Sequence, residues 1–81
     1  MKNLLLINGS FDPKDAIEII TSMIHVKIKF HENKINGESN EEEIKMRETR
    51  IKQLQKDLYE FRNFVDTKKN RVQMFANVAI Q

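Results

Sequence analysis

Eighty-one residues, 40% of them hydrophobic and 32% charged, bound a single domain with a small core, one that buries about 60–65% of its unfolded surface. This balance excludes the disordered class, and a formal net charge of +2 is too weak to demand nucleic acid or an anionic membrane. The chain has no cysteine, which rules out disulfides and thiolate metal sites and fits a reducing cytoplasm.

The chain opens with a strand over residues 3–8. The run Leu4-Leu5-Leu6-Ile7 is too short for a helix, a signal-peptide core or a membrane span. The pair Asn8-Gly9 bounds it as a turn signal, with Gly9 supplying the bend. Asn8-Gly9-Ser10 also matches a glycosylation acceptor, which without a secretion signal reads as chance.

A helix over about residues 13–36 follows. Asp12 is positioned to cap it, Pro13 fits the first helical position, and Asp15 puts a carboxylate at the positive end of the dipole. Phe11 and Ala16 occupy hydrophobic-staple positions, and Gly37 offers a left-handed stop. At 100° per residue, Ile17, Ile20, Ile24, Ile28, His31 and Ile35 make one apolar stripe. Ile19, Met23, Val26 and Phe30 make a second, roughly on the far side. A helix in a simple hairpin needs one stripe, so two predict cover from two sides.

The second helix, about residues 40–69, begins in the capping sequence Ser39-Asn40-Glu41-Glu42-Glu43. A seven-residue repeat runs through Ile44, Arg47, Ile51, Leu54, Leu58, Phe61 and Val65, with Arg47 its single polar member. Glu41 and Lys45, Glu43 and Arg47, and Glu48 and Lys52 are spaced to pair along the helix, each pair worth about 0.2–0.5 kcal/mol. Asp66, Thr67 and Asn70 are weak helix formers where the helix can end, with Lys68 and Lys69 near its C-terminus.

Residues 71–81 allow two readings. Val72, Phe75 and Ala79 would extend the repeat into an all-α hairpin with a long second helix. Val72, Met74, Ala76, Val78 and Ile80 alternate instead as a strand with one apolar face. The strand is favoured and gives an α+β order, β-α-α-β, in which the helical hairpin returns both strands to one end to pair antiparallel. A two-stranded ribbon is marginal alone. Pairing two such units about a symmetry axis would give four strands and cover the second stripe of the first helix.

No set of residues composes a catalytic site. His31-Glu32 begins an H-E-x-x-H zinc motif, but Ile35 stands where the second histidine belongs. His25 and His31 lie about 120° apart around the helix and do not share a metal. His31, inside the main stripe, is expected to be a hydrogen-bonded core histidine, with Arg47 or Glu48 as a partner. Arg47 can fix register, bind an anion or extend its charge to water at the open end of the hairpin. Lys45, Lys52 and Lys56 form an outer row that nucleic acid could use, but Glu41, Glu48 and Glu60 lie beside it, as on a solvated face. Phe30, Tyr59, Phe61, Phe64 and Phe75 read as core or interface residues.

Two resemblances bear on function. Gly9-Ser10-Phe11-Asp12-Pro13 resembles the phosphate-handling turn of nucleotidyltransferases, which continues into an H-x-G-H signature. Lys14-Asp15-Ala16-Ile17 follows here, with neither histidine nor glycine, and Asp15 would repel a phosphate. The wider pattern resembles a family of small proteins chiefly from the Bacteroidetes. It comprises a strand, a helix entered through Ser10, Asp15 and Ala16, a stretch carrying Lys27, Ile28, Phe30 and His31, and a second charged helix. That resemblance supports the fold and cellular context and implies no activity. The expectation is therefore a non-enzymatic cytoplasmic protein without cofactor, working through association. Its partner is a second copy or another protein, across Ile19, Met23, Val26 and Phe30, with His31 and Arg47 as candidate functional polar residues. A nucleic-acid-binding or regulatory hairpin is the alternative.

Overall fold

The computed structural model describes residues 1–37, 39–66 and 70–81. Strand β1 (Lys2–Phe11) leads into helix α1 (Pro13–Lys34), which is followed by helix α2 (Glu41–Asp66) and strand β2 (Val72–Ile80). The terminal strands pair antiparallel as a two-stranded ribbon. The fold is thus the expected α+β arrangement, and residues 72–80 form a strand rather than extending α2. Thr67, Lys68 and Lys69, read above as the end of the second helix, lie outside the described residues.

The heptad pattern predicts α2 closely. Ile44, Arg47, Ile51, Leu54, Leu58, Phe61 and Val65 are shielded from solvent, and every other described residue of the helix is exposed. Ile17, Ile20, Ile24, Ile28 and His31 face this seam from α1 and are half-buried. Both helices therefore follow their apolar spacing, because pairing the two stripes removes the most hydrocarbon from water that one hairpin can remove.

Three local expectations are corrected. Strand β1 continues to Phe11, so Gly9 is no bend; at φ 158° it lies in the ladder opposite Met74. Ladder partners for Gly9, Ser10 and Phe11 in Met74, Gln73 and Val72 satisfy backbone groups that a turn would leave open. Asp12 stands at the N-cap of α1, but its side chain makes no capping hydrogen bond. At the helix start only its carbonyl takes part, accepting from the Ala16 N–H at 2.9 Å. Gly37 is not left-handed. The first helix ends at Lys34 with Ile35 extended, and the Ser39 hydroxyl donates to the Lys34 carbonyl at 3.1 Å. That side-chain donor satisfies a terminal carbonyl without a glycine cap.

Helix α2 starts as its sequence indicates. The Asn40 side-chain oxygen accepts from the Glu43 N–H at 2.8 Å, and the Asn40 amide donates to the Glu43 carboxylate at 3.3 Å. This occupies Glu43, and no described ion pair joins it to Arg47. Of the ion pairs expected along α2, none is among the two described. These are Lys56 with Glu60 at 4.0 Å and Arg71 with Asp12 at 2.9 Å. Exposed lysines and glutamates gain too little from pairing to be held in one rotamer.

The core is very small. Among the described residues only Ile7, Ala16 and Val65 are buried apolar residues, one each from mid-β1, the first turn of α1 and the last turn of α2. They mark where the base of the hairpin meets the ribbon. The Cα atoms extend 47 × 34 × 14 Å with a radius of gyration of 15.4 Å, against about 12 Å for a compact chain of this length. Among the described residues no helix is long and apolar enough to cross a membrane.

Candidate functional site

Strand alternation divides the ribbon into two faces. Ile7, Phe11, Val72, Met74 and Ala76 share the shielded face. Leu4, opposite Val78, and Ile80, opposite Lys2, continue that face toward the chain termini, yet all three apolar side chains are exposed. The helices therefore cover only the half of the ribbon nearest them, and the other half overhangs. On the outer face Phe75 is 71% exposed.

The second stripe of α1 is likewise split. Ile19 and Met23 are half-buried, whereas Val26 is 70% and Phe30 52% exposed. The four residues expected at an interface thus lie on one face of α1, and its C-terminal half is uncovered. Met46, Tyr59 and Phe64 of α2 add further exposed apolar surface, which their polar heptad positions did not reveal.

Beside Phe30 the hairpin brings His31 and Arg47 together. An Arg47 guanidinium nitrogen stands 3.0 Å from His31 Nδ1. Because arginine only donates, Nδ1 accepts, and the imidazole is neutral with its proton on Nε2. Burial between the helices lowers the His31 pKa from its ordinary value, and the positive charges of Arg47, Arg50 and Lys27 lower it further. The Phe30 ring meets the imidazole edge-on at 5.5 Å between centroids. Lys34 and Arg47 approach the same ring at 5.5 and 5.7 Å, within cation–π range. Arg47 is therefore no free snorkelling charge, since its guanidinium is held by an imidazole and an aromatic face.

This cluster borders an open groove of about 460 Å³ lined by Lys27 and His31 of α1 and by Met46, Arg50, Leu54 and Asp57 of α2. The Asp57 carboxylate accepts from the Gln53 amide at 2.8 Å. Lys27 and Arg50 form no ion pair among the described residues, so the groove has a net positive lining. Its chemistry suits a carboxylate or another anion at its rim. It contains no nucleophile paired with a base. His25 points elsewhere, into a separate groove with Ile28, Leu58, Tyr59 and Arg62. Among the described residues no three His, Asp or Glu side chains are placed to hold a metal ion.

The Gly9–Pro13 stretch is structural in its contacts. Arg71 donates to the Ser10 hydroxyl at 2.9 Å, the Ser10 carbonyl at 2.6 Å and the Asp12 carboxylate at 2.9 Å. The side chains that resemble a phosphate turn are thus taken by a guanidinium from the start of the returning strand. No family model, curated protein or solved structure matches the chain.

Proposed function

We propose that this protein works by non-enzymatic association and that its partner is a second copy of itself. One observation carries this reading: the folded chain exposes 6626 Å², about 1,500 Å² more than a compact protein of 9.6 kDa. The exposed large apolar side chains include those of two features, the overhanging ribbon and the second stripe of α1. A monomer gains nothing by keeping Val26, Phe30, Phe75, Val78 and Ile80 in water, whereas each contributes when an interface removes it. The excess is about twice the roughly 800 Å² that each partner buries in a standard interface. The acidic residues beside the lysine row of α2 leave the nucleic-acid reading with less support.

The test is the absolute mass in solution, by light scattering after size exclusion, for wild type and a Phe75→Glu, Val78→Glu double variant. Wild type is expected at twice the chain mass of 9.6 kDa. The double variant is expected to be monomeric with its helical circular dichroism intact, since both side chains stand exposed on the ribbon of the single chain. A wild-type monomer throughout the micromolar range overturns the proposal.

A further inference from the structure

We infer that the free edge of β2 is the seam of the dimer and that β2 pairs antiparallel with the same strand of the second copy, with Ala76 opposite Ala76. The two ribbons then join as one four-stranded sheet in the order β1-β2-β2-β1. This inference rests on the homodimer reading and specifies its geometry.

The two edges of the ribbon differ in how well they can accept another strand. Strand β1 carries Lys2 and an extra residue at Leu6, where the register shifts between Leu5 and Ile7. A charge and a bulge are the devices that keep an edge from pairing. Strand β2 has neither. Its nine residues, Val-Gln-Met-Phe-Ala-Asn-Val-Ala-Ile, include no charge, proline or glycine, and its register against β1 is unbroken from Val72 to Ala76 and from Asn77 to Ile80. A long, uncharged, regular edge left in water is a template for another strand.

The register follows from the pleat. An antiparallel pair about a two-fold axis must put like faces together, or the apolar face of one strand would continue into the outer face of its neighbour. Placing the axis at Ala76, the midpoint of β2, sets Val72 opposite the partner's Ile80 and Met74 opposite the partner's Val78. All five share one face, shielded at Val72, Met74 and Ala76 and exposed at Val78 and Ile80. The same rotation lays the helix-covered half of one ribbon beside the overhanging half of the other. A helix about 10 Å across spans two strands spaced about 4.8 Å apart, so each copy's helices reach the other's Val78 and Ile80. On the outer face Phe75 falls opposite the partner's Asn77 and diagonal to the partner's Phe75, within aromatic reach. One operation therefore satisfies the free backbone edge and shelters apolar side chains on both faces.

Because the chain has no cysteine, single-cysteine variants read the seam directly. Directly opposed residues of an antiparallel pair have Cα atoms about 4.5–5.5 Å apart, within disulfide range. Under mild oxidation at micromolar concentration, Ala76→Cys is expected to form covalent dimer on the order of a hundredfold faster than Asn8→Cys on β1, since the seam holds its thiols at millimolar effective concentration. An equimolar mixture of Phe75→Cys and Asn77→Cys is expected to give the mixed disulfide in preference to either self-disulfide. This second pair fixes the register should the geometry at Ala76 disfavour a bond. Fast closure by Asn8→Cys with slow closure by Ala76→Cys moves the seam to β1 and overturns the inference. A wild-type dimer in which neither Ala76→Cys nor the Phe75→Cys and Asn77→Cys mixture closes also overturns it but leaves the association reading standing. A wild-type monomer overturns both.

Discussion

At Arg47 one side chain settles what the spacing of the sequence left open. Glu43 and His31 compete for it, and the outcome depends on what else each can bind. Glu43 closes the start of α2 with Asn40, so Arg47 turns inward to the imidazole. A neutral, accepting His31 has a defined consequence for stability. Its pKa is lowered in the folded state, so below the ordinary histidine range the unfolded chain binds more protons than the folded one. Stability is therefore fully present above the unfolded value and falls as pH drops through it. Urea midpoints measured between pH 7.5 and 5 should decline for wild type, and the decline should be shallower in His31→Gln. An equal slope in both would remove His31 as the titrating group. The apolar stripe placed His31 in the seam and suggested Arg47 as one of two partners. The choice between Arg47 and Glu48 needed the helix register, which no local pattern encodes.

The elements follow local signals wherever one apolar period dominates. The heptads of α2 are of this kind, and the structure adds to them chiefly at their ends, whereas in β2 the alternation had to prevail over a competing extension of the heptads. Ends depend on single hydrogen bonds, several of them made by residues distant in sequence. Strand β1 is longer than its turn signal implies because β2 supplies ladder partners for Gly9 to Phe11. Arg71 is the clearest case, since it holds the β1–α1 corner from about sixty residues away through Ser10 and Asp12. Nothing near Arg71 in the sequence announces this contact. Hydrogen bonds to a guanidinium are worth roughly 1.5–3 kcal/mol when sheltered, and exposure screens the ion pair to less than that. Arg71→Ala should therefore cost about 1 kcal/mol in chemical denaturation. Arg71→Lys should recover only part of the loss, because an ammonium cannot reproduce the forked geometry.

At the scale of the whole molecule the chain is thin and extended, with three buried apolar residues among those described and a ribbon that projects past its helices. A core this small predicts that folding and association are coupled, so that stability depends on protein concentration. A tenfold rise in concentration should raise the thermal midpoint by about 3–5 °C, from a mass-action gain of about 1.4 kcal/mol per dimer spread over its unfolding entropy. Differential scanning calorimetry at two concentrations checks this, and a midpoint independent of concentration would show the monomer folding on its own. Such coupling would also explain why the tail of β2 is apolar at all.

By itself the sequence favoured the β-α-α-β order and determined the faces of both helices and the residues they bury against each other, because each is set by a local period of 3.6 or 2 that burial rewards directly. It also exposed a second apolar stripe too large for one hairpin to cover. The tertiary structure decided where the strands end, what holds the Ser10–Asp12 corner, how Arg47 is partnered and which half of each apolar face remains in water. Those depend on distances between residues far apart in the chain, and a sequence period carries no information about distance until the elements have packed.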